Sequence, residues 1–296
     1  MSLRKYDIVG DEYKVGYRRQ EAWGWKIALA FFFGDVGAGT FFVSAFFNYM
    51  PGMIFGWILT TFFKPAALFM HLGQPLRFWR AIANVRTAWI SRGIVGAILF
   101  TGFGFLHMVN LKWALFGGFL GGLVFFLAML GCFIVMIYLG YVLSHSPSIP
   151  LWNTGLMPLI SLIYGLMGGV TMTILFGINS FLAADPAALQ FLKTTELILI
   201  AITFVMLVSM IHGAAYQSST GMATVMQLIV GKYSKWFLGY VVLVGIIGTG
   251  LLALTGSVMM TVLLLVAVME LIGDFGLKMV LFKSALYSPP LSHSTV

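Results

Sequence analysis

Protonatable side chains set inside apolar runs are the residues whose chemistry most needs an explanation. Asp35, Lys64 and Glu270 each interrupt a long apolar stretch. A charge in such surroundings must be paired, wetted or neutralised by a proton, so groups of this kind can hold and pass protons. Glu270, Asp274 and Lys278 recur at intervals of four, which puts all three on one helical face. His71 and His212 bring imidazoles, which exchange protons near neutral pH and ligate metals. His71 opens a segment that also holds Arg77 and Arg92, while Trp23, Trp25 and Lys26 stand ahead of the first apolar run. The single cysteine, Cys132, lies within an apolar run. It can form no internal disulfide, and no cysteine cluster exists to hold zinc or an iron–sulfur centre.

The elements that must position these groups are legible in the composition. The chain has 296 residues, 60% of them hydrophobic and 9% charged, with a mean hydropathy of +0.98. An ordinary soluble domain carries about 25% charged residues. A soluble enzyme, a disordered chain and a nucleic-acid-binding domain are therefore excluded. An all-α integral membrane protein remains. About 20 apolar residues make a membrane-crossing helix, and eight such stretches occur, near Trp23–Tyr49, Gly52–His71, Gly93–Val109, Trp113–Leu143, Gly155–Ala183, Phe191–Tyr216, Phe237–Leu254 and Ser257–Phe282. Trp23, Trp25, Trp79, Trp89, Trp113, Trp152 and Trp236 fall at or near span ends, as aromatic belts require. The short turn at Thr255-Gly256 makes the last two spans a tight antiparallel hairpin.

Eight spans put both termini on one side. A polar segment, residues 1–22, precedes the membrane domain at 23–283, and a tail follows at 284–296. The first segment has no apolar h-region, which argues against a cleavable signal peptide, and Arg18-Arg19 is a poor match to a twin-arginine signal. The terminal side collects Arg4, Lys5, Lys14, Arg18, Arg19, Arg77, Arg80, Arg86, Arg92, Lys232 and Lys235, with Lys26, Lys278 and Lys283 near span ends. The opposite side has only Lys112 and Lys193. The net charge of +8 thus reads as a topology signal, placing the termini in the cytoplasm and the chain in the inner membrane. A bound partner would also explain a basic face.

Along the first span Asp35 lies about 20 Å from the cytoplasmic end, and along the second Lys64 lies about 10 Å from it. Their depths differ by the reach of a lysine, which allows an Asp35–Lys64 pair, either structural or part of a proton path. Asp274 and Lys278 can snorkel to the cytoplasmic interface, whereas Glu270 sits near mid-membrane and must face the bundle interior. Glu196 reads as interfacial. His71 and His212 share a depth near the cytoplasmic ends of their spans, so they are candidate haem ligands; His107 lies near an outer end, His145 in a loop and His293 in the tail. The 34 glycines, including Gly34-x-x-Gly37-x-Gly39, read as close helix packing. That run follows no strand and is no dinucleotide fingerprint.

The segment His71-Leu72-Gly73-Gln74-Pro75-Leu76-Arg77-Phe78-Trp79-Arg80, continuing to Arg86-Thr87-Ala88-Trp89-Ile90-Ser91-Arg92, resembles the HLGxPxRFW…RTSWxSR segment of the NrfD/PsrC family. These are the quinone-reactive membrane subunits of polysulfide, nitrite and tetrathionate reductases, and the related dimethyl sulfoxide reductase anchor subunit carries a similar HLGxP stretch. Phe33-Gly34-Asp35-Val36-Gly37-Ala38-Gly39-Thr40 is similar to the family's GGxAAG run, with Asp35 where a glycine is usual. Pro150-Leu151-Trp152-Asn153-Thr154 resembles its PxWNT, and Glu270-Leu271-Ile272-Gly273-Asp274-Phe275 its closing segment.

The resemblance implies eight helices without haem, taking up menaquinone or ubiquinone beside a ferredoxin-like iron–sulfur subunit. That subunit would serve a catalytic subunit, often a molybdopterin enzyme. The resemblance also implies a quinol-binding role for His71 and quinone contacts near Trp23, Trp25 and Lys26. Arg77 and Arg92 would hold the loop, fix the quinone head or contact the partner. The chemistry of the residues agrees. A chain without cysteine ligands cannot carry single electrons through itself over long distance, but it can bind a two-electron, two-proton carrier beside a partner's cluster, and a basic face suits an acidic partner. The chain then has no catalytic centre beyond the quinone site, with Asp35, Lys64 and Glu270 as a proton path. Two other readings stay open. One is a b-type cytochrome anchor using His71 and His212. The other is an ion-coupled secondary transporter, though the inverted repeats and mid-membrane breaks such proteins tend to show are not evident.

Overall fold

With no water in the bilayer core to satisfy peptide groups, an apolar chain that crosses it must be helical or a closed barrel. The computed structural model, which describes residues 17–289, has eight helices long and apolar enough to cross. They are α1 (Trp25–Phe46), α2 (Met50–Phe69), α3 (Trp89–Trp113), α4 (Gly118–Ser144), α5 (Leu156–Gly177), α6 (Pro186–Gln217), α7 (Lys235–Leu254) and α8 (Met260–Ser284). Arg4, Lys5, Lys14 and His293 lie outside the described residues. The expected spans recur with shifted ends. The starts of α4 and α6 move by five residues, and α3 begins four residues early, at Trp89, because Arg92 is satisfied by loop carbonyls and so tolerates a place in its first turn. The ends follow local rules. Ala114 (φ 49°) turns left-handed to stop α3. Asp185 caps α6, its carboxylate accepting from the Ala188 N–H at 3.0 Å, with Pro186 at the first helical position.

Helices α1 and α5 form the centre, the most buried of the eight. They cross where Gly39 meets the backbone of Gly165 and Gly169, and a methyl group on Gly39 would occupy the place of the Gly165 carbonyl. Helix α1 also touches α2, α4 and α8, while α3–α4 and α7–α8 are antiparallel hairpins. Gly256, at φ +64°, makes the tight turn of the second hairpin. Phe62, Phe126 and Leu243 point outward, as lipid-facing residues do.

The segments flanking α1 and α8 meet. Arg18–Arg19 (β1) pairs antiparallel with Leu286–Tyr287 (β2), and the Gln20 side chain donates to the Phe282 carbonyl at 3.0 Å. Strands of two residues leave no periodicity in a sequence, so this clasp is found only in the structure. The same terminal face carries a 3-10 helix at Pro75–Ile82 and a helix at Ser219–Ile229 between α6 and α7. The loop before α5 joins it, for the Ser288 N–H donates to the Ser148 carbonyl at 2.8 Å.

Candidate functional site

Helices α1, α5 and α8 bring polar side chains to one buried point. Asp35 on α1 and Asp274 on α8 both contact the Lys278 ammonium, the Asp35 Oδ2 at 3.2 Å. All three are buried. Ser161 on α5 donates to the same Asp35 oxygen at 3.3 Å, and Tyr164, one turn on, places its ring 5.6 Å from the ammonium. Asp274 and Lys278 therefore do not snorkel; each neutralises the other inside the bundle. The expected Asp35–Lys64 pair is replaced by Asp35–Lys278. Depth along a span fixes the level of a charge but not which helix stands beside it, and α8 packs on α1 at this level.

One turn from Asp274 toward the opposite face, Glu270 is equally buried. The Thr171 hydroxyl on α5 lies 2.6 Å from Glu270 Oε2 and 2.8 Å from Glu196 Oε1. A hydroxyl has one proton to donate, so only one of these contacts can come from Thr171; the other needs a proton on a carboxyl. Glu196, read from sequence as interfacial, is buried because α6 turns it toward α5. Further out, Lys193 donates to the Gly256 and Ser257 carbonyls at 2.6 and 2.8 Å, tying α6 to the α7–α8 turn.

Lys64 belongs to a separate feature. A cleft of about 460 Å³ opens between α2 and α3, reaching from Phe69 and Phe78 at the terminal face inward to Thr60, Lys64 and Tyr138. The Lys64 ammonium sits 4.6 Å from the centre of the Tyr138 ring. It has no hydrogen-bond partner and no carboxylate within 4 Å among the described residues. Gly34 leaves room for its stem: a methyl group there would lie 3.0 Å from Cδ. The wall has an irregular backbone, for α2 passes through a π turn at Leu59–Phe63 just before Pro65. Proline has no N–H to continue the ladder, and such turns recur at functional sites.

The residues assigned to quinone from the sequence divide by position. His71, two residues beyond the cleft residue Phe69, is half-buried but does not itself line the cleft, and its ring has no hydrogen bond among the described residues. Lys26 donates to the Met70 carbonyl at 2.9 Å, closing the end of α2. Trp23 is packed between Trp152 and Phe282, with ring centres 5.7 and 5.4 Å away, while Trp25 is exposed. Arg92 folds the loop, donating to the Val85 and Arg86 carbonyls at 3.0 and 2.7 Å and lying over the Trp89 ring. Arg77 is exposed on the 3-10 helix. His212 packs against Tyr216, ring centres 4.7 Å apart and planes tilted by 40°, along the α6–α7 groove, so it and His71 have different neighbours.

Sequence reading missed Ser161, Tyr164 and Thr171, and gave Glu196 only an interfacial place. Serine and threonine in apolar helices commonly bond their own backbone, as Thr40 does to the Val36 carbonyl, so type and position alone did not single them out. Pro65 was the available signal for the irregular wall. A family model described as DMSO reductase anchor subunit (DmsC) matches residues 27–284. That is the related anchor branch, where the loop resemblance points first to polysulfide reductase-type subunits. No curated protein matches the chain.

Proposed function

Because the chain belongs to the DMSO reductase anchor subunit family, we propose that it is the membrane subunit through which a respiratory oxidoreductase reaches the quinone pool. It exchanges electrons between a quinone and an iron–sulfur, ferredoxin-like subunit, which in turn serves a catalytic subunit. The observation that carries the quinone reading is the α2–α3 cleft. Its volume of about 460 Å³ falls within the range of small-molecule sites, roughly 300–1,000 Å³. Its walls are mainly apolar, as a ring with a prenyl tail requires. Its polar groups are Thr60, Thr61, Lys64, Thr101 and Tyr138, and Lys64 offers a free N–H donor to a quinone carbonyl. His71, two residues beyond Phe69 on the terminal side, can exchange protons with the water there. Arg77, Arg80 and Arg86 are exposed on the same face, which suits docking of an acidic partner. The polysulfide reductase-type assignment is supported by the loop His71–Arg80, and an inner-membrane location with cytoplasmic termini by the basic face.

His71→Ala tests this reading. The complex should assemble, and dye-coupled activity of the catalytic subunit should persist. Quinone-coupled turnover should fall on the order of 10²-fold, the scale of a lost proton donor. Wild-type quinone turnover with normal assembly would remove His71 from the site.

We further propose that protons move between the quinone end, at Lys64, and the opposite half of the membrane along Asp35, Lys278, Asp274, Glu270, Thr171 and Glu196. Supporting this, the carboxylates and the ammonium of Lys278 are all buried and form two contact chains, Asp35–Lys278–Asp274 and Glu270–Thr171–Glu196, with Asp274 and Glu270 one turn apart on α8. Glu270→Gln should keep quinone turnover but lower the protons moved per electron pair in sealed vesicles. Equal turnover and equal proton movement would leave Glu270 a structural role only.

A further inference from the structure

A smaller cleft, of about 240 Å³, opens at the terminal face between the start of α7 and the end of α8. Its walls are Lys232, Tyr233 and Trp236 on one side and Met279, Val280 and Lys283 on the other. Two features make it unlike the rest of the basic face. The first is charge. Lys232 and Lys283 converge from different elements, no acid lines the cleft, and neither lysine has an ion-pair partner among the described residues. The nearby acid of α8, Asp274, is buried and taken by Lys278. Two like charges held over an apolar floor repel each other and draw an anion between them.

The second feature is the floor itself. Val280 is buried and Met279 half-buried. Trp236 stands half-exposed beside them, and Tyr233 takes the Lys232 ammonium 5.8 Å from its ring centre. An aromatic pair of this kind marks the level where headgroups give way to hydrocarbon. Below it the α7–α8 seam continues past Tyr240 and Gly276, where a methyl group on Gly276 would lie 3.7 Å from the Tyr240 Cβ, with Tyr240 and Ile272 exposed. A water-soluble anion would use the lysines and leave the floor idle. A molecule with a phosphate above and hydrocarbon below uses both.

We propose that this cleft binds the headgroup phosphate of an anionic glycerophospholipid, with Lys232 and Lys283 on the phosphate and the acyl chains along the α7–α8 seam. Basic pockets between membrane helices bind such headgroups elsewhere. The site lies apart from the α2–α3 cleft and does not rest on the quinone reading.

The test uses the protein in the form extracted from its membrane, stripped of lipid by detergent exchange. It is titrated separately with phosphatidylglycerol, with phosphatidylcholine and with inorganic phosphate, and followed by thermal unfolding and native mass spectrometry. Phosphatidylglycerol should raise the melting temperature and remain bound in the mass spectrum, while the other two should do neither. Lys283→Gln should weaken phosphatidylglycerol binding about fivefold, and Lys232→Gln with Lys283→Gln about 25-fold. Lys283→Arg, which keeps the charge, should bind as wild type and shows that any loss is not a folding defect. Equal binding of phosphatidylglycerol and phosphatidylcholine would overturn the proposal. So would unchanged binding in the double variant, or stabilisation by phosphate alone as large as that by the lipid.

Discussion

Replacement of Lys278 by methionine is expected to leave little folded protein in the membrane. Lys278 is the cation within 4 Å of both Asp35 and Asp274 among the described residues, and all three side chains are buried. Methionine fills the space but removes the charge, so two carboxylates are left facing one another in an apolar interior. Removing one partner of a buried ion pair costs about 3–5 kcal/mol. A whole domain is stable by only about 5–15 kcal/mol, so this loss alone can decide whether the bundle survives. Membrane abundance by immunoblot, with the melting temperature of whatever remains, measures the effect. Adding Asp35→Asn and Asp274→Asn to Lys278→Met should recover much of the protein, because the uncompensated charges go with the lysine. Wild-type abundance for Lys278→Met alone would show that the two carboxyls are neutralised in some other way.

The contrast between Lys278 and Lys64 shows which parts of the molecule were legible in the chain. The eight spans were, because each apolar run is long enough to be unambiguous, and so was the shared face of Glu270, Asp274 and Lys278. A helical period fixes which residues share a face. It says nothing about which helix that face meets, so the partner of Asp35 was read as the nearby Lys64 when it is Lys278 from the last helix. Glu196 was read as interfacial for the same reason: its place near the end of α6 was visible, but Thr171 opposite it was not. The α2–α3 cleft was hidden for a different cause. Ile94, Ala97 and Ile98 line it, and apolar residues facing a cleft look in sequence like those facing lipid. His71 and the loop after it were visible because glycine, proline and arginine among aromatics are unlike an ordinary linker.

Lys64→Met is expected to have the opposite profile, abolishing quinone chemistry while the protein stays folded. Lys64 is buried but, unlike Lys278, has no carboxylate within 4 Å among the described residues. An unpaired buried charge is costly to keep, so exchanging it for a thioether of similar length should hold or raise the melting temperature. If the ammonium donates to the quinone carbonyl that gains negative charge on reduction, its loss removes an electrostatic contact of the kind worth about 10²–10³ in rate. Quinone-coupled turnover should fall on that scale, while dye-coupled activity of the associated catalytic subunit persists. Lys64→Arg should retain part of the activity, because it keeps the charge but not the compact donor. Stability is what separates the two roles. A lysine kept to hold the fold would lower the melting temperature when lost, whereas a lysine kept for substrate costs the fold something and releases it when removed. Full quinone turnover in a stable Lys64→Met variant would move the quinone head out of the α2–α3 cleft. Loss of turnover together with a lower melting temperature would make Lys64 part of the ion-pair framework around Asp35.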